Sequence, residues 1–175
     1  SKKRLIIGKK YTEEIKELEA LGYNCITINL SSNLDEEICS HTDILCFKLS
    51  HNILLAESSV AGELSKKISD YIIIGIDKIS SPYPDDIKLN AAYLGNKIIC
   101  NSKYTSTQII DFYNSNNIEL INTNQGYTKC NLCILNNNAV ITEDEGLSSL
   151  LKKCQTDVLK IEPGYVRLSE KHYGF

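Results

Sequence analysis

Three segments of this chain repeat one order of elements: an apolar strand, a tight polar turn, a second apolar strand, an amphipathic helix and a third strand. Their turns and second strands align as His51-Asn52-Ile53-Leu54-Leu55-Ala56-Glu57, Gly95-Asn96-Lys97-Ile98-Ile99-Cys100-Asn101 and Asn137-Asn138-Ala139-Val140-Ile141-Thr142-Glu143. An asparagine holds the same place in each turn, and Asn tolerates the left-handed backbone that two-residue hairpin turns need. A period of about 40 residues marks a repeat or propeller architecture.

The N-terminus reads as the same unit without its first strand. Ile6-Ile7-Gly8, Lys10-Tyr11-Thr12 and Cys25-Ile26-Thr27-Ile28 parallel Ile98-Ile99-Cys100, Lys103-Tyr104-Thr105 and Ile118-Glu119-Leu120-Ile121. The expected organisation is one domain over 1–175. It has a partial module at 4–40, modules at 41–80, 83–124 and 127–163, and a terminal piece at 164–175. Helices are expected over 12–21, 60–69, 105–114 and 145–154, with a short helical turn at 34–39. First hairpin strands are expected at 43–49, from 88 and at 130–135. A helix between two strands is a crossover that sets them parallel, whereas a hairpin adds an antiparallel strand. One such module cannot build a sufficient core alone, so the modules are expected to stack and bury one another. The chain lacks methionine, which predicts that Ser1 is not the native start. The missing first strand predicts an open module edge prone to self-association.

At 175 residues and 42% hydrophobic, the chain is long and apolar enough to bury a core. Net charge is −3 and the basic residues are scattered, which argues against a nucleic-acid footprint. The apolar runs are too short to span a bilayer. The basic Ser1-Lys2-Lys3-Arg4 lacks the long apolar core of a signal peptide, so the expected location is cytoplasmic. Seven cysteines occur, mostly within apolar patterns where cysteine acts as a small hydrophobe. Only Cys130-x-x-Cys133 has motif spacing. It lacks the second ligand pair of a zinc ribbon, and on a strand its members would face opposite sides. No metal or cofactor is expected.

The distinctive polar residues lie in the loops entering the modules. They are His41 and Asp43, then Asp86 and Asn90, then Gln125, Lys129 and Cys130. If the modules are related by rotation, these loops converge around one cavity. A His two residues from an Asp on a strand points the same way, and such a pair can hold a cation or relay a proton. Each also has a structural reading. His41 and Asp43 can cap the preceding turn, Asp86 can be a turn residue, and Gln125 can belong to a turn with a packed tyrosine.

The stretch His41-Thr42-Asp43-Ile44-Leu45-Cys46-Phe47 resembles the His-x-Asp strand of the pentein, or guanidine-modifying-enzyme, superfamily. Leu89-Asn90-Ala91-Ala92, Asn124-Gln125-Gly126-Tyr127-Thr128-Lys129-Cys130, Pro163-Gly164-Tyr165 and Tyr173-Gly174-Phe175 resemble an uncharacterised bacterial family assigned to that fold. The resemblance implies a pentein-like α/β propeller of strand-strand-helix-strand modules, with five modules around an axis. Three and a partial fourth are present, so the remainder is expected beyond Phe175. In catalytic members a late cysteine attacks the guanidinium carbon, the His serves as acid and base, and carboxylates hold the cation. No Gly-rich stretch followed by Cys is present here, and Cys130 does not match that nucleophile's position. The resemblance therefore implies a small guanidino ligand that is hydrolysed or deiminated. His41 and Asp43 would be catalytic, and Asp86, Asn90, Gln125, Lys129 and Cys130 would bind substrate. Lys129 favours a ligand that also bears a carboxylate. The alternative is a non-catalytic binding or assembly protein of the same fold, as ribosome anti-association factors are.

Overall fold

The computed structural model describes residues 3–166. It is a mixed α/β protein in which the repeated element order is realised in four small sheets. The chain divides into two compact units, Ser1–Asp86 and Ile87–Phe175.

In the first unit, β1 (Arg4–Gly8), α1 (Thr12–Ala20) and β2 (Asn24–Ile28) form a right-sized crossover with β1 parallel to β2. There follow α2 (Thr42–Leu45), β3 (Cys46–Lys48), β4 (Ile53–Glu57), α3 (Ser58–Leu64) and β5 (Ile72–Ile76). Strand β4 pairs antiparallel with β3 and parallel with β5. Helix α3 packs on β4 and β5 and also reaches β2.

The second unit repeats the scheme twice. Strands β6 (Ala92–Leu94), β7 (Lys97–Cys100) and β8 (Glu119–Asn122) enclose α4 (Thr107–Ser115). Strands β9 (Cys133–Asn136), β10 (Ala139–Thr142) and β11 (Asp157–Lys160) enclose α5 (Glu145–Lys153). Alternation along β6–β8 sends Tyr93 toward α4, where it stacks on Tyr113 at 5.4 Å. The opposite face, Ala92, Leu94, Ile99 and Ile121, buries against Leu147 and Leu151 of α5 and Val140 of β10. The second helix thus fills the space between two sheets, which is how modules too small for their own core share one.

The hairpin asparagines serve the repeat differently from expectation. None of Asn52, Asn96 and Asn138 is left-handed; in these turns the positive φ belongs to Gly95, at 64°. Their carbonyls instead accept the N–H that opens each third strand, from Ile72, Glu119 and Asp157 at 2.8, 3.2 and 2.9 Å. Left-handed residues do end three helices: Gly22, Asn117 and Gln155. After each, an N–H returns to the helix, as Tyr23 to Leu18, Ile118 to Tyr113 and Thr156 to Leu151. That bond closes a Schellman-type cap.

Several expected boundaries are corrected. Helix α3 begins at Ser58 rather than Val60, because the buried Glu57 carboxylate takes the N–H groups of Ser59 and Val60. Helix α1 has no side-chain cap from Thr12. Residues 43–45 and 130–132 are not strand. Of the terminal piece at 164–175, everything beyond Val166 lies outside the described residues.

Candidate functional site

The turn entering the second module of the first unit carries His41 and Asp43. The expected strand is replaced there by one turn of helix, Thr42–Leu45, with His41 at its N-cap. Ile44 and Leu45 on this turn are both 0% exposed. The His41 N–H donates to the Ile38 carbonyl, and the His41 carbonyl accepts from Ile44 and Leu45. The side chains still meet, for a different reason from the one expected. His41 Nδ1 lies 3.8 Å from Asp43 Oδ1 across the turn rather than along a strand face. At that distance the contact is electrostatic rather than a hydrogen bond.

Burial lowers the affinity of His41 for a proton, Asp43 opposes this, and the nearby Lys10 ammonium reinforces it. The net direction is downward, so the ring is neutral at pH 7 and available to accept a proton. Lys10 was not among the expected site residues. Its place in the repeated Lys-Tyr-Thr segment before α1 is the signal that marks it, since Lys103 recurs there in the second unit; each lies over the ring of the tyrosine that follows it. Asp86 is buried, 2% exposed, at the end of the turn that follows Pro82.

In the second unit, the equivalent entry turn covers 127–131, closed by the Asn131 N–H on the Tyr127 carbonyl at 3.1 Å. Cys130 stands three residues before Cys133, the first residue of β9. Asp43 stands three before Cys46, the first residue of β3. The pairing register sets Phe47 opposite Leu55 and Cys133 opposite Ile141, so the repeat position of Asp43 falls on Lys129, one residue before Cys130. Cys130 and Lys129 are half-buried. Asn90 is fully buried and is brought to both of them. Its Oδ1 accepts the N–H groups of Lys129 at 2.7 Å and Cys130 at 3.2 Å, and its Nδ2 donates to Cys130 Sγ at 3.1 Å.

Gln125 is turned to the protein. Its Nε2 donates to Asp144 Oδ2 at 2.7 Å and its Oε1 accepts the Tyr127 N–H at 3.1 Å. Asp144 in turn caps α5 by accepting the Leu147 N–H at 2.7 Å. The structural reading of Gln125 as a turn residue is thus met by its hydrogen bonds, and Asp144 is the partner the sequence pattern did not single out.

Two other thiols, Cys46 and Cys100, are less suited to chemistry. Burial, with smaller contributions from Glu57 and Glu63, pushes Cys46 up to about 12, and burial raises Cys100. A separate open groove of about 640 Å³ in the first unit is lined by Asn29, Ser31, Ser58, Ser59, Glu63 and Lys67 among others, and does not include His41 or Asp43. Its Glu63 is already bound to Lys67 at 2.7 Å and to Asn29. Among the described residues, no helix is long and apolar enough to cross a membrane.

No curated protein matches this chain. A family model described as a family of unknown function, DUF6873, matches residues 5–175, and the chain belongs to that family.

Proposed function

We propose that this protein is a pentein-like α/β propeller that binds a small guanidino compound and hydrolyses or deiminates it. The observation that carries the reading is the His41–Asp43 pair, a neutral imidazole 3.8 Å from a carboxylate on one short turn. The Asp43 carboxylate suits a planar guanidinium, which offers paired N–H donors to two oxygens. His41 takes a proton from the water that attacks the guanidinium carbon and returns one to the departing amine. For deimination, guanidinium and water give a ureido product and ammonium, which balances atoms and charge.

A non-catalytic binding role is the second reading. It is favoured by Gln125 and Asn90, whose amides engage protein groups. Assay of ammonia and ureido product from arginine and agmatine separates the two readings. Turnover lost in H41A supports catalysis. Binding without turnover transfers the protein to the second reading.

A further inference from the structure

We infer that the outer face of the sheet β9–β10–β11 is a docking surface for an amphipathic helix of a partner protein. The helix it fits has leucines at i and i+4 and a lysine or arginine in its last turn.

The register fixes which residues share that face. Ile141 stands opposite Cys133 on β9 and Leu159 on β11. In the sheet β6–β7–β8 the same places are held by Ile99, opposite Ala92 and Ile121. There the face is closed, because Leu147 and Leu151 of α5 pack on it, and Ile99 is 0% exposed. On β9–β10–β11 it is open. Leu159 is 59% exposed, and Leu135, two residues along β9 from Cys133, is 58% exposed. Ile141 and Cys133 are half-buried. One sheet of the repeat thus shows what kind of element fits the other: a helix presenting two leucines one turn apart.

Charge narrows the partner further. Lys97, on the closed face, donates to the Cys154 carbonyl at 2.7 Å and so holds the negative end of α5. Its place on β10 is taken by Ala139, which stands opposite the exposed Asp157. A helix seated in the same way would bring its last carbonyls to that carboxylate, which favours a cation in its last turn. A second copy of this chain is a poor source. Helices α3, α4 and α5 already bury apolar residues of their own, and α1 carries a single leucine among glutamates.

The probe is a labelled synthetic peptide of residues 143–156, because α5 itself carries the required pattern in Leu147, Leu151, Lys152 and Lys153. Fluorescence anisotropy follows its binding to the whole protein. Saturable binding is expected below about 1 mM peptide. It should weaken by about tenfold or more in L159S, and likewise with a peptide carrying L147S and L151S, as loss of a buried leucine contact requires. Leu159 is exposed in the free protein, so L159S should keep the fold, which circular dichroism checks. D157N should weaken binding by about two- to fivefold at low salt. No saturable binding, or equal binding by L159S, overturns the inference. Light scattering of the protein alone runs beside it. Association that rises with concentration and is abolished in L159S would make a second copy the occupant, and that result overturns the inference too.

Discussion

Replacing Gly95 with alanine tests how tightly neighbouring hairpins of the repeat are coupled. Gly95 turns β6 into β7 with φ at +64°, and an added Cβ would lie 2.6 Å from the Asn137 carbonyl oxygen in the turn between β9 and β10. Two costs add. The left-handed backbone disfavours a Cβ by about 1–2 kcal/mol. The clash is with backbone rather than a movable side-chain tip, so one hairpin must shift against the other, at about 1–3 kcal/mol. A total near 3 kcal/mol lowers the melting temperature by about 6–12 °C for a chain of this size. Gly62 supplies the control. It is exposed within α3, and nothing lies within 4 Å of its added Cβ. G62A should stabilise the protein by about 0.5–1 kcal/mol, through the helix propensity of alanine. Calorimetric melts of both variants decide the matter. A G95A protein melting within about 2 °C of the wild type would refute the coupling of the two turns.

Loss of the α5 cap in D144A should cost about 1 kcal/mol in denaturant unfolding and also free Gln125. His41 should make stability fall with acid. Its folded pKa lies below the usual 6.5, so the unfolded chain binds the proton first. The His41 contribution is complete above that value and is lost as pH falls through it toward the folded pKa. H41Q should therefore lose less stability than the wild type between pH 7 and 5, as urea titrations would record. Strand β1 pairs only with β2 among the described residues, whereas β4, β7 and β10 each have partners on both sides. Light scattering should show the chain associating as its concentration rises, and a monomer throughout would contradict the open edge.

The module order was legible because each hairpin announces itself by two apolar runs around a polar pair, and each helix by its apolar stripe. What escaped was decided by contacts far along the chain. His-Thr-Asp-Ile-Leu reads as strand because an apolar run follows the polar residues, yet Thr42–Leu45 forms the turn of α2, with the His41 carbonyl accepting from Ile44 and Leu45. Asn90 reads as a polar site residue until its partners, some 40 positions later, come into view. Gln125 is similar, since Asp144 belongs to the next helix. Asn117 at a helix end is a signal that can be read in sequence, whereas Gln155 in the same backbone state is not. The Cys130-x-x-Cys133 spacing misleads in another way. Its first member lies in a turn and its second opens β9, so the strand argument that its members face opposite sides does not apply.

Isothermal calorimetry with arginine and agmatine, on the wild type and on D43N, tests the guanidino assignment most directly. Asp43 is the group proposed to hold the cation, and D43N keeps the size of the side chain while removing its charge. The account predicts heat of binding from at least one ligand, weakened at least tenfold in D43N, as loss of a charged hydrogen-bonding partner of about 1.5–3 kcal/mol requires. No heat from either ligand, or equal binding by D43N, would contradict it.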